Sequence, residues 1–198
     1  SKLELGKLPD PVYDALGPEA APKDFVASIA DAQIDAIIKR INQAGGGVFA
    51  IVGERGSGKS TILERIRTKA NDVLVVQCPF GGLDQLRRNV IQLAGEEKRS
   101  FDEVIADLDR RGRDAWLIID DAHRLISPMM GGLKEFDEIL DVAKRRSEHC
   151  AWVFAFDDIL WRFVQRARGA KPLFDDVVFL EPWREEGIAR LLTQRTVE

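Results

Sequence analysis

Cysteine is scarce in this chain: Cys78 and Cys150 are its only two in 198 residues, and no Cys-x-x-Cys spacing exists. That scarcity argues against a disulfide framework or a zinc site and fits buried thiols in a reducing, cytoplasmic compartment. The two histidines, His123 and His149, stand apart from any ligand cluster, so imidazole coordination of a metal has no support. No apolar run reaches the ~20 residues of a membrane span, and the N-terminus has neither the charged start nor the apolar core of a signal peptide. A soluble segment is expected. Charge of one sign is not in excess either, with 29 Lys and Arg against 33 Asp and Glu, a net charge of −4. Such a balance does not describe a surface devoted to nucleic acid, which stays possible through local basic clusters but unsupported. Internal repeats and low-complexity tracts are also missing. What is present, 45% apolar and 31% charged residues over 198 positions, suffices for one α/β core.

The run Gly53-Glu54-Arg55-Gly56-Ser57-Gly58-Lys59-Ser60, followed by Thr61, has the Gly-x-x-x-x-Gly-Lys-Ser spacing of a loop that cradles phosphates. Glycines let the backbone curl until successive N–H groups point inward at phosphate oxygens, and a lysine at the position of Lys59 reaches the β and γ phosphates. Ser60 is then the magnesium ligand. Val48–Val52 ahead of the loop is a short apolar run, and Thr61–Ile66 behind it has helical spacing, so the context is strand, loop, helix. Phosphates at a helix N-terminus gain from its dipole and unpaired amides. The third glycine of a dinucleotide-binding Gly-x-Gly-x-x-Gly is absent, because position 61 is Thr. The expected ligands are ATP or ADP with magnesium.

Residues 1–23 are rich in proline and polar residues and read as an extended arm. From Asp24 to Gln43 apolar residues recur at helical spacing and stop at the glycines 45–47. Val73–Val76 and Ala115–Ile119 are apolar, β-rich runs of the kind buried on both faces of a parallel sheet. Helices are expected over 83–94, 101–111, 133–147 and 158–168, and further strands over 151–156 and 177–180. Five apolar runs separated by helices predict a parallel sheet covered on both sides. The same alternation also suits a flavodoxin-like fold; the phosphate loop decides against it.

Leu117–Asp121 is an apolar strand that delivers two carboxylates at its carboxyl end, where open α/β sheets bind ligands. Asp120 suits the magnesium shell shared with Ser60, and Asp121 suits the orientation of an attacking water. A plain pair of turn or capping residues is the alternative. With these two segments the chain resembles P-loop NTPases of the additional-strand class, the AAA+ proteins and their STAND relatives, including origin-recognition-like ATPases and those that assist transposition and secretion. Gly53–Ser60 matches Walker A, Leu117–Asp121 matches Walker B, and Asp120-Asp121-Ala122-His123 resembles the Asp-Asp/Glu-Ala-His segment of STAND ATPases. The resemblance spans about residues 24–195, with only those two motifs specific.

It implies a three-layer α/β/α fold with a parallel five-stranded sheet of order 5-1-4-3-2, in which 151–156 is the added strand. It also implies an ATP-hydrolysing core, residues 24–183, that uses nucleotide state as a conformational switch or motor, or else a nucleotide-binding scaffold with little turnover. Lys59, Asp120 and Asp121 would be the catalytic residues. Asp157 falls at the position of a γ-phosphate sensor, where the family usually has Asn, Thr or Ser; a helix N-cap is the alternative. Arg166 or Arg168 falls where an arginine finger would reach a neighbouring subunit, the alternative being a solvated basic helix face. Asp121 replaces the longer Glu of many members, which points to slow hydrolysis. Residues 184–198 resemble the start of a helical lid, and the chain, which starts at Ser1, is expected to be a piece of a longer protein with further domains. Adenine is expected against the arm near Val12 and Tyr13. A small-molecule kinase shares the loop but would need an acceptor pocket and lid arginines that the sequence does not offer.

Overall fold

The computed structural model describes residues 22–55, 57–70, 72–95, 99–127, 132–168 and 172–180, with side chains from residue 31 onward. The expected arm, Val12, Tyr13, Gly56, the methionine loop at 128–131 and the lid segment 184–198 lie outside them. Residues Ile34–Pro182 form one compact unit; Ser1–Gln33 and Trp183–Glu198 form another, represented among the described residues only by the first turns of one helix.

The elements in chain order are α1 (Pro22–Ala44), β1 (Gly47–Gly53), α2 (Lys59–Lys69), β2 (Asp72–Gln77), α3 (Gly82–Leu93), α4 (Phe101–Arg111) and β3 (Ala115–Asp120), then a short 3-10 turn at Ala122–Leu125. They continue with α5 (Lys134–Arg145), β4 (Ala151–Asp157), α6 (Asp158–Arg168) and β5 (Asp176–Phe179). The five strands are parallel in the order β2-β3-β4-β1-β5, the expected 5-1-4-3-2 read from the other edge. The first helix begins at Pro22, two positions inside the expected arm, because proline fits a first turn whose N–H has no helical partner. The last strand begins one residue earlier than expected, at Asp176, whose neighbour Asp175 accepts the Val48 N–H at 2.7 Å and so pins β5 to β1.

Strand β1 is buried at every position, and its side chains alternate between two cores. Val48, Ala50 and Val52 join Leu86, Val104, Ile105, Phe136 and Trp161 of α3–α6. Phe49 and Ile51 join Ile34, Ile37 and Ile41 of α1 and Ile62, Leu63 and Ile66 of α2. Among the described residues two helices therefore cover one face and four cover the other, which makes three layers. Both buried tryptophans of the central strands satisfy their N–H groups, Trp116 on Asn42 Oδ1 at 3.1 Å and Trp152 on Arg146 O at 2.9 Å. No helix among the described residues is long and apolar enough to cross a membrane.

Candidate nucleotide site

Parallel strands end on the same side, so β1, β2, β3 and β4 bring Gly53, Gln77, Asp120 and Asp157 to one edge of the sheet. The register sets Gly53 beside Asp157 and Gln77 beside Asp120. From Gly53 the chain turns through the glycine loop and enters α2 at Lys59. Gly58 makes that entry possible with φ 79° and ψ 20°, a left-handed conformation that side chains with a Cβ resist. The Ile62 N–H then bonds to Gly58 O at 3.0 Å, closing the first turn.

The Lys59 ammonium folds over this loop and donates to Gly53 O and Glu54 O, both at 2.8 Å. An ammonium has three donors, so one is left for a further acceptor. Ser57 is buried, and its Oγ has no hydrogen-bond partner. A buried hydroxyl without a partner, beside a lysine and a left-handed glycine, is the donor chemistry that phosphate oxygens satisfy. Close packing holds the loop on Gly53, where an added Cβ would sit 2.8 Å from Ser57 Oγ and 3.2 Å from Lys59 Cγ.

Ser60, one residue into α2, donates to Asp120 Oδ2 at 2.6 Å, although 60 residues separate the two in sequence. The other Asp120 oxygen accepts the Asp121 N–H at 2.8 Å, so this carboxylate, 5% exposed, is held from both sides. A hydroxyl and a carboxylate in contact form the all-oxygen donor pair that suits a hard cation such as magnesium. An open groove of about 490 Å³ starts at these two residues and continues along β2 past Glu64, Arg67 and Leu93.

Asp121 is the only residue other than glycine with positive φ, 52°, among the described residues. Its Oδ2 lies 2.8 Å from Arg124 and 3.4 Å from Gln77 Nε2. Arg124 also donates to Cys78 O at 2.8 Å and stacks its guanidinium 4.3 Å from the centre of the Phe80 ring, which is 88% exposed. Burial pushes the Cys78 thiol up to about 12, with nearby Arg124 pulling in the other direction. Gln77, Phe80 and Arg124 received no role from the sequence; the i,i+3 spacing of Asp121 and Arg124 was the one available signal for the last.

Asp157 accepts the Ile159 N–H at 3.0 Å, the geometry of an N-cap on α6, which is the plainer of its two expected readings. Its position beside Gly53 nevertheless keeps it at the site edge. Arg168 is paired with Asp137 of α5. Arg166 is exposed, and among the described residues it has no hydrogen-bond or ion-pair partner.

A family model described as an AAA domain matches residues 42–162, well over half of the chain. The chain belongs to the AAA domain family. As an AAA domain it is a P-loop NTPase core of AAA+ type, with the nucleotide-binding character of that group. Similar solved structures include the Walker-type ATPase of Pyrococcus abyssi, 14% identical, with a TM-score of 0.57 over 94% of this chain and 62% of that one. The ORC2 protein of Aeropyrum pernix, solved in ADPNP–ADP complexes, is 15% identical with a TM-score of 0.52, covering 94% of this chain and 55% of that one. The Aeropyrum pernix ORC1 protein in complex with DNA is 16% identical with a TM-score of 0.51, covering 96% and 52%. At such identities the likeness carries the fold, and this AAA domain spans between half and two thirds of those chains. No curated protein matches it.

Proposed function

We propose that this AAA domain binds ATP with magnesium and hydrolyses it slowly, using nucleotide state as a conformational switch. The observation that carries the reading is the 2.6 Å contact between Ser60 and Asp120, which joins the phosphate-loop helix to the carboxyl end of β3. Lys59, the Ser57 hydroxyl and the amides of Gly56–Ser60 hold the phosphates, within the cradle formed by Gly53, Glu54, Arg55, Gly58 and Thr61. Ser60 and Asp120 hold magnesium, which when bound neutralises charge on the phosphate oxygens. Asp121 orients the attacking water. The water oxygen bonds to the γ phosphorus, the bond to the β,γ-bridging oxygen breaks, ADP leaves, and the water proton passes through the carboxylate to solvent or phosphate.

A second reading, a nucleotide-binding scaffold with little turnover, draws on two observations: the Asp121 side chain is one methylene shorter than a Glu, and Asp157 caps a helix. Self-association through Arg166, additional domains of a longer protein and a cytoplasmic location belong to the same proposal. One of the similar proteins was solved with DNA; for this chain nucleic acid has no support beyond that likeness.

The test is calorimetric titration with magnesium-ATP alongside phosphate release. Lys59→Ala is expected to weaken affinity roughly 10- to 100-fold, the worth of a charge-assisted contact. Unchanged affinity rejects the site. Asp121→Asn is expected to lower turnover roughly 100- to 10,000-fold, to a residual rate that single-turnover measurement still reads, with affinity retained; turnover already at background in the unaltered protein favours the scaffold.

A further inference from the structure

We infer that Arg124 is a positioning residue for Asp121, and that Phe80 completes the positioning unit. The inference rests on the proposed role of Asp121 at the nucleotide site.

The backbone supplies the first reason. Left-handed aspartate is strained and persists only where its surroundings over-determine it. Here the Asp120 carboxylate holds the Asp121 N–H, the Arg124 N–H holds Asp121 O at 2.9 Å, and the Arg124 guanidinium holds the side chain. The division of the carboxylate supplies the second. Arg124 and Gln77 both approach Oδ2, and among the described residues no hydrogen bond reaches Oδ1, so one oxygen is anchored and the other is the acceptor assigned to a water. A base fixed by a third group and left with one free acceptor is the arrangement that activates nucleophiles elsewhere.

Arg124 is itself fixed by groups outside its own turn. It donates to Cys78 O beyond the end of β2 and lies on the Phe80 ring. An i,i+3 ion pair at a surface turn would need neither contact. Together they tie the segment after β2 to the segment after β3, so that the Asp121 carboxylate takes its orientation from two strands.

The experiment compares the unaltered protein with Arg124→Ala, Arg124→Lys, Phe80→Ala and Arg124→Ala combined with Asp121→Asn, reading magnesium-ATP affinity, single-turnover phosphate release and melting temperature. Loss of Arg124 is expected to lower kcat roughly 10- to 100-fold, as removal of an orienting partner does, with affinity unchanged within about twofold. Lysine, able to keep the charge but not the fork and stack, is expected to restore part of the rate. Phe80→Ala is expected to lower kcat about threefold. In the Asp121→Asn background, loss of Arg124 should change nothing further. Four outcomes overturn the inference: a rise in kcat, an equal fall in affinity and rate, effects that add in the double variant, or an unaltered protein that binds ATP without turnover. The last leaves Lys59-dependent binding standing, so its failure is distinct from failure of the nucleotide site. Should Arg124→Ala fail to fold, the lysine and Phe80 variants carry the same comparison.

Discussion

Gly53 shows how a single hydrogen in place of a methyl can govern a site. A Cβ at this position would meet Ser57 Oγ at 2.8 Å, Lys59 Cγ at 3.2 Å and Leu180 Cβ at 3.3 Å. Two of those three atoms belong to the side chains proposed to contact phosphate. Gly53→Ala is therefore expected to cost about 1–3 kcal/mol of stability through overpacking and to weaken magnesium-ATP binding roughly tenfold. Gly45 provides the contrast: its φ is +77°, and an added Cβ would meet nothing within 4 Å. Gly45→Ala should lose about 1 kcal/mol through backbone strain and leave affinity alone. Parallel melting curves and titrations check both, and equal affinities for the two variants would reject the cradle. At this scale the sequence was most informative where spacing itself encodes the chemistry, as at Lys59, Ser60 and Asp120. It was silent where a side chain works across loops: nothing local indicates that Arg124 meets both Phe80 and Cys78.

Helix ends are the element-scale features most open to test, and α4 has the most complete one. Ser100 Oγ accepts the Glu103 N–H at 3.3 Å, while Glu103 Oε2 accepts the Ser100 N–H at 2.7 Å, a reciprocal capping box. The Ser100 backbone N–H, then its hydroxyl, holds the Glu103 carboxyl below its ordinary 4.5. Because the folded value is the lower one, the stabilisation is fully present above the unfolded value and is lost as pH falls through the folded one. Glu103→Gln keeps an acceptor but no titration. The stability gap between the two proteins is thus expected to be fully open well above the ordinary 4.5 and to narrow as the pH falls below it in urea titrations. A gap independent of pH would exclude the charged box. The cap is local, with Ser100 before an apolar-periodic run and Glu three residues on, but the expectations above named only the helix 101–111 and not its cap. The same locality explains Asp157, whose capping of α6 needs only the helix that follows it, whereas its place beside Gly53 needed the sheet. Strand neighbours were the less legible part, since alternating β and α runs fix a parallel sheet without stating that β4 lies between β1 and β3; that order came from the family resemblance.

At the scale of the whole unit, one aromatic cluster ties the four-helix face to the site. Phe156 is wholly buried in β4, one residue before Asp157 and opposite Val52 of β1. Its ring centre lies 5.8 Å from Phe136 of α5, 5.7 Å from Trp161 of α6 and 5.8 Å from Phe174 ahead of β5, with Phe154 on the neighbouring inward position. Edge-to-face and tilted rings at these distances add to the burial of each, so the cluster joins two helices and the approach to the last strand to the central sheet. Removing the Phe156 ring takes away contacts with all three at once, and close-packed surroundings refill such a space only partly. Phe156→Ala is expected to cost about 3–5 kcal/mol, a large fraction of the ~5–15 kcal/mol by which a domain of this size is stable. Phe163, on the same helix as Trp161 but 48% exposed, is the control, and its replacement by alanine should stay within about 0.5 kcal/mol. Denaturant titrations with unchanged slopes would attribute the difference to the native core. A loss under about 1 kcal/mol at Phe156 would mean that the cluster repacks, and that the sheet edge carrying Gly53 and Asp157 draws its rigidity from the opposite core of α1 and α2.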